Sequence, residues 1–328
     1  MRLGAACLAI LLLAPVGAAA HARTGEYQNM GDAPRDWVSP YPLLRGIPMV
    51  DYGAFRARNP VTAAQYGLAN WSLWKRYGDR PRLRAALRVA DWFVNRQRRS
   101  GMWTYAFDYT SPGTTMPLTA PWGSALAQGQ GISLLRRAYA RTGRRAYRRA
   151  ALLALAPLRR RAADGGLSVR HDGGIMFEEY PTERPSLPLN GHMQTLLGLY
   201  DLSDVSLLAR RMFLEGVGTL LRVLPEYDAG AGWSLYNLVH ESGFERYPAV
   251  PDYHAAHVRE LRVLDEIWPH RVFREWADRW DVSARLGRFQ QAVQHPPGDA
   301  ERIMLGAHEL TALRTETRAN RAIHHQRP

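Results

Sequence analysis

The chain has 328 residues, a net charge of +13, 46% apolar residues and a single cysteine. That allows one large or two ordinary domains around a sizeable core, and the lone Cys7 excludes a disulfide framework or a thiolate metal site. Lys75 is the only lysine, so the charge is arginine on solvated faces or a grip for a polyanion; no nucleic-acid-binding motif accompanies it.

Residues 1–22, MRLGAACLAILLLAPVGAAAHA, combine one Arg, a short apolar run, a Pro and small residues. They predict a secretory signal peptide cut after Ala20 or Ala22, and hence export to the periplasm or the medium. The run is shorter than the ~20 residues of a membrane span, so the cleaved protein is not expected to be integral to a membrane. Residues 23–60 form a Pro-rich extended segment without helical period. Apolar positions then recur at three and four residues in four pairs of segments: 61–77 with 82–97, 124–142 with 145–161, 191–202 with 205–224, and 255–267 with 271–280. Asp204 is well placed as the N-cap of one of them. Trp71, Trp92 and Trp276 lie on these stripes and read as core. Arg144–Arg149 and Arg159–Arg161 read as solvated helix faces.

Strand-like stretches separate the pairs: 101–109, 166–180 with a hairpin signal at Asp172-Gly173-Gly174, and 226–239. The expected fold is mainly α, an (α/α) toroid of helical hairpins with short β-ribbons and aromatic loops at a cleft, spanning 61–295. Residues 296–328 are a polar tail whose amphipathic piece, 300–317, could dock while the last ten residues fray.

Three motifs fail on their context. GQGISL at 129–134 lacks the third glycine and the preceding strand of a dinucleotide-binding turn. His254-x-x-His257 has no third ligand in register, so capping or core packing is the better reading, and no metal or cofactor is implied. The sequon at Asn70 lies within a helix and reads as chance. Tyrosines are the better lead. Tyr180, Tyr236 and Tyr253 stand in loops or at helix entrances among polar residues, in EEYPTE, SLYNLVH and PDYHAAH. From residue types alone they are sugar-stacking platforms, amphipathic lids or catalytic phenols.

The segment FEEYPTERPSLPLNGHMQTLLGLYDL, 177–202, resembles the signature of the heparan sulfate/heparosan-type D-glucuronyl C5-epimerases, in their C-terminal helical domain. PWGSALAQGQGISLLRRAY at 121–139, YDAGAGWSLYNL at 227–238 and DYHAAHVRELRVLDEI at 252–267 agree in order and spacing. The resemblance implies an (α/α) toroid and reversible inversion at C5 of a uronic acid within an acidic polysaccharide. It implies Glu179, Tyr180, Tyr236 and Tyr253 as catalytic positions, and Gln128, Asn190 and His254 as substrate-binding ones. Two departures stand out. Val239 and His240 follow the third block where the family pattern has an arginine, and Val250-Pro251 replaces an arginine-tryptophan pair. Arg184 or Arg246 is expected to replace the missing carboxylate anchor. Animal epimerases also carry a β-rich region where this chain has only residues 23–60, so subunit contacts differ; a homodimer is left open.

Such chemistry needs these residue types. The C5 proton is α to a carboxylate, so its removal loads charge on an anionic group that donors must neutralise. Inversion requires one acid/base group on each face of C5. Glu179 and Tyr253 are assigned as that pair, Tyr180 and Tyr236 as orienting donors. Pro181, Pro185 and Pro188 stiffen the segment, and on an extended strand Glu179 and Tyr180 would point opposite ways. Glu178 reads as a solvent-facing or structural neighbour. A uronate lyase on the same toroid and a non-catalytic glycan-binding protein are the alternatives.

Overall fold

The computed structural model describes residues 42–110, 116–238 and 248–281. The expected signal peptide, the polar tail, Arg246, Val239 and His240 lie outside them. Asn59 starts the first helix: its backbone is extended and its Oδ1 accepts from Val61 N at 2.8 Å and Thr62 N at 3.2 Å. Pro60 takes the first helical position, where a missing N–H costs nothing. Helix α1 (Pro60–Tyr77) ends at Gly78 in the left-handed region, φ 70°, and α2 (Arg80–Arg96) returns beside it. The second hairpin is α3 (Ala125–Thr142) with α4 (Arg145–Leu153) and the short α5 (Leu155–Arg159). The third is α6 (Leu189–Leu202) with α7 (Leu207–Val223), and the fourth α8 (Pro251–Ile267) with α9, residues 271–281.

The first helices of the hairpins form an inner row: α1 packs on α3, α3 on α6 and α6 on α8, with α2, α4 and α7 outside. This is the mainly α arrangement of an (α/α) toroid. One core runs through both rows and includes Phe93, Trp103, Tyr147, Phe177, Phe213 and Trp280. Trp71 is buried in it, while Trp92 and Trp276 are half-buried against it. Where α3 and α6 cross, Gly129 faces Gly198. A Cβ on Gly198 would stand 2.2 Å from the Gly129 carbonyl oxygen, and one on Gly129 2.6 Å from Thr195 Cα. The glycines of GQGISL therefore serve helix packing: Gly131 makes room for Trp103 and Phe93 in the same way. Beside the crossing, buried Arg137 pairs with buried Asp201 at 2.5 Å.

Short ribbons precede each inner helix. Before α1 come β1 (Leu43–Leu44) with β2 (Ile47–Pro48), and β3 (Val50–Asp51) with β4 (Arg56–Ala57). Before α3, β5 (Thr104–Tyr105) pairs with β8 (Trp122–Gly123) and β6 (Tyr109–Thr110) with β7 (Pro117–Leu118). The hairpin β9 (Ser168–His171) with β10 (Gly174–Phe177) leads to α6, and β11 (Asp228–Gly230) with β12 (Trp233–Ser234) leads to α8. The twelve strands among the described residues thus feed the starts of the inner helices.

Local departures from the expectations have local causes. The segment 43–57, read as plain extended chain, folds into two small hairpins. The helix expected over 145–161 breaks at Ala154, just before Pro157. The cap of α7 is Ser206, whose Oγ accepts from Ala209 N at 3.2 Å; Asp204 instead binds Arg136, Nε to Oδ1 3.1 Å. The hairpin turn at Asp172-Gly173 is as expected, with φ 46° and 69°. Asn70 is buried within α1 and donates to Tyr66 O at 2.8 Å, so it is closed to glycosylation.

Candidate active site

The stretch after β10 is anchored before it is functional. Glu178 is fully buried, and its carboxylate accepts from Ser186 N at 3.0 Å and Leu187 N at 2.5 Å. Its own N–H donates to Leu167 O at 2.8 Å, and its carbonyl accepts from Ala125 N at 2.9 Å at the start of α3. Glu178 therefore ties the proline loop to two elements, and Leu187 is held at φ 50°. Burial pushes the Glu178 carboxyl up to about 7 in spite of those donors. It is the structural neighbour, not a solvent-facing one.

Glu179 follows on a bend, 5% exposed. The segment is not extended there, so Glu179 and Tyr180 do not diverge: the Tyr180 hydroxyl is a hydrogen-bonding neighbour of the Glu179 carboxylate. Burial raises Glu179 to about 7. Donors on Tyr180, Tyr236 and Asn190 oppose that rise, and the charge of Glu178 adds to it. Oε2 of Glu179 and Oδ1 of Asn190 make no well-formed hydrogen bond, an open arrangement that a ligand can tighten. The carboxylate rests on the first turn of α6. A Cβ on Gly191 would lie 2.8 Å from Glu179 Cβ and 3.0 Å from its Oε2. The partial positive charge of a helix start favours an anion there.

Tyr236 and Tyr253 meet on the other flank. Their rings are 5.0 Å apart at 67°. The Tyr236 carbonyl accepts from Leu189 N at 3.0 Å, and Leu238 N donates to Ser186 O at 3.3 Å, stitching this strand to the mouth of α6. Tyr253 sits in the first turn of α8, after Pro251. Ser234 joins the two tyrosine-bearing elements: its Oγ lies 2.8 Å from His254 Nδ1 and 2.9 Å from His257 Nδ1. His254 Nδ1 also accepts from Ser234 N at 3.2 Å, while its Nε2 donates to Trp280 O at 3.1 Å. The Ser234 N–H can only donate and the Trp280 carbonyl can only accept, so His254 is the neutral Nε2–H tautomer. Burial, then the neighbouring His254 and Arg259, keeps His257 neutral too. Trp233 stacks on His254, ring centroids 4.1 Å apart.

Aromatic rings close the remaining side. Tyr105 stacks on Trp122 at 3.8 Å, Tyr109 on Trp122 at 5.8 Å, and Trp122 and Tyr180 lie 6.4 Å apart. With Tyr236, Tyr253, Leu118 and Ala249 these make a second apolar cluster, separate from the main core. Burial first, then the charge on Glu179, lifts the Tyr180 phenol well above its ordinary value; burial does the same for Tyr105 and Tyr109. The arrangement is a buried carboxylate raised to about 7 against the protonated phenol of Tyr180, with the rings of Tyr105, Tyr109, Tyr236 and Tyr253 around it. It can take or give a proton and can hydrogen-bond an anionic oxygen.

Residues 96–282 match the profile of the D-glucuronyl C5-epimerase C-terminus, more than half of the chain. The chain belongs to the D-glucuronyl C5-epimerase family. A D-glucuronyl C5-epimerase of Caenorhabditis elegans is 36% identical over 207 residues, 58% of this chain and 33% of that protein. An uncharacterized protein of Methanocaldococcus jannaschii, MJ1128, is 28% identical over 190 residues, 54% and 57% of the two chains. The match thus spans a third and somewhat over half of these relatives. Among solved structures, the unsaturated glucuronyl hydrolase of Bacillus sp. GL1 superposes with a TM-score of 0.45 at 17% identity, over 68% of this chain and 60% of that one.

Against the C5-epimerase pattern, the structure brings Glu179, Tyr180, Asn190, Tyr236 and Tyr253 together and withdraws two other residues. Gln128 is wholly buried below the site. Its Oε1 accepts from Trp103 N at 2.9 Å, and its Nε2 donates to Gly101 O at 3.0 Å and Ala154 O at 3.1 Å. Both amide hydrogens are used and the side chain is wholly buried, so Gln128 is a backbone clamp. His254 is equally buried and committed to Ser234 and Trp280, so it holds the site and does not reach a ligand. Arg184 is exposed on the proline loop, where its carbonyl accepts from Thr182 Oγ1 at 2.6 Å. Tyr105, Trp122 and Ser234 belong to the site and were not singled out from the sequence. The alternation in GMWTYAFDY was the available signal for Tyr105; Ser234 gave none.

Proposed function

We propose that this protein inverts C5 of D-glucuronate residues within an acidic polysaccharide, giving L-iduronate, by two-base proton transfer. The observation that carries the reading is Glu179: a buried carboxyl poised at about 7 among the hydroxyls of Tyr180 and Tyr236 and the amide of Asn190. A base near neutrality can remove the C5 proton and a protonated Glu can return it. On this reading Glu179 acts on one face of C5 and the Tyr253 hydroxyl on the other. Tyr180, Tyr236 and Asn190 donate to the substrate carboxylate as negative charge spreads onto it. Burial keeps the Tyr180 phenol protonated, so it can serve as a donor. Arg184, at the rim, neutralises the same carboxylate or its neighbour along the polymer. Export through the N-terminal signal would place the enzyme where such polymers occur.

The test is exchange. The native protein is incubated with heparosan and other glucuronate polymers in deuterated water, and C5 is read by NMR. The expected result is deuterium at C5 and a growing iduronate signal, with no UV-absorbing unsaturated ends and no shortening of the chain. Tyr253→Phe should lose exchange by at least about a hundredfold, the scale of a general acid/base group. Normal exchange in that variant would overturn the assignment, and unsaturated ends would make the enzyme a lyase.

A further inference from the structure

Outside the catalytic cage, the ring contacts continue to the protein surface. Phe107 meets Trp122 edge-on at 6.3 Å and Tyr105 at 5.8 Å. On its far side it meets Tyr52 at 4.5 Å and Phe55 at 5.3 Å, and Tyr52 and Phe55 stack at 5.2 Å. Phe55, in the β3–β4 turn, is 42% exposed. Phe55 lies outside both apolar clusters, and its described ring contacts are with Tyr52 and Phe107. The path therefore runs from solvent at Phe55, through Phe107 and Trp122, to Tyr180 beside Glu179.

A cationic group gathers around Arg58, just beyond the hairpin that bears Phe55. Arg58 follows β4, Arg45 is in the β1–β2 turn and Arg96 closes α2. Among the described residues none of the three forms an ion pair with a carboxylate, whereas Arg56 on the same hairpin pairs with Asp51 at 3.0 Å. Arg58 Nε is buried without a hydrogen-bond partner. Its acidity is increased by burial and by the nearby charges of Arg96 and Arg45. Three mutually repelling cations without an acid between them leave an anion's place open.

We infer that Phe55, Tyr52 and Phe107 form a sugar subsite for the polymer chain leaving the catalytic cage, with Arg45, Arg58 and Arg96 taking the anionic group of the sugar bound there. The ligand is an acidic polysaccharide whose sugars offer apolar C–H faces to the rings and carboxylates or sulfates to the guanidinium groups. The path's continuity with the cage argues for this occupant, and so does the sign of the flanking charge. This inference rests on the epimerase reading, which it extends to a second site.

The test measures binding and chemistry separately. Heparosan polymer is titrated calorimetrically into the full chain, its Phe55→Ala and Arg96→Gln variants, and Leu207→Ala, an exposed apolar control at 73% exposure on α7. Phe55→Ala should bind about three- to tenfold more weakly, the worth of one stacked ring. Arg96→Gln should bind more weakly and with a flatter dependence on salt, and Leu207→Ala should bind as the native protein does. Native affinity in Phe55→Ala, or no binding by the native protein, overturns the subsite. A native protein that binds, binds less well without Phe55, and yet exchanges no C5 hydrogen would keep the subsite and sink the epimerase reading.

Discussion

At the scale of single residues, Glu179 carries two pH dependences of opposite sense. Its folded value of about 7 lies above the ordinary 4.5, so the native state holds the proton more tightly than the unfolded chain does. The associated stability is full below about pH 4.5 and is lost as pH rises through about 7, an effect on the order of 3 kcal/mol. Proton abstraction needs the carboxylate, so C5 exchange should rise over the window in which stability falls. Glu179→Gln is expected to melt above the native protein at pH 8, to match it near pH 4, and to exchange no C5 hydrogen. Thermal melts at the two pH values, with NMR exchange beside them, check this; a variant that melts below the native protein at pH 8 would contradict it. Gly191→Ala attacks the same carboxylate from below. Its Cβ would lie 2.8 Å from Glu179 Cβ, so the side chain must move. A displacement of about 1 Å can cost a hundredfold in rate, and kinetics should show that loss while the fold survives.

At the scale of elements, the positioning of the tyrosines depends on Ser234. One hydroxyl reaches two imidazoles on α8 and so fixes β12, which leads to Tyr236, against the turn that bears Tyr253. Ser234→Ala should lower kcat about tenfold or more with little change in KM, and Ser234→Thr should restore part of it by returning the hydroxyl. Equal kcat and KM losses in both variants would point to loss of fold instead. This arrangement also marks how far the sequence could be read. The outer helices were legible because each buries a stripe with a 3.6-residue period, and two inner helices end at glycines in the left-handed region, Gly78 and Gly143, whereas α6 is buried on every side. Residue types alone drew attention to Tyr180, Tyr236 and Tyr253 without giving them a role; it was the family resemblance that set Glu179 beside them as catalytic positions. Core packing of His254 was legible, and the substrate-binding role that the resemblance implied for it does not fit its place; the role of Gln128 was not legible at all. A buried amide bonded to three backbone groups looks, in sequence, the same as one that faces a sugar. The bend at Glu179 was also hidden, because it is imposed by contacts from Ser186 and Leu187 to Glu178 and not by local propensity.

At the scale of the whole molecule, separate segments form one site because the four inner helices begin at the same end. Gln128 binds that end together: Gln128→Leu removes three hydrogen bonds to backbone groups and leaves them buried. A loss of about 3 kcal/mol is expected, read as a lower denaturant midpoint. Polymer affinity, measured below the transition, should be unaltered, since Gln128 presents no group to a sugar. The crossing of α3 and α6 is tighter still. Gly198→Ala would force a methyl group to 2.2 Å from a carbonyl oxygen, and the expected outcome is a protein that no longer folds. Two backbones in direct contact cannot slide or separate by repacking side chains, so the middle of the inner row is its rigid axle. If the proposed polymer substrate is correct, it would be admitted by movement at the flanks, in the ribbons before α1 and in the start of α8. Amide hydrogen exchange should be slowest around Gly129 and Gly198 and fastest near Phe55 and Tyr253. The chain would then keep its carboxylate fixed and open its outer walls around the sugar, much as a vice closes one jaw on a fixed one.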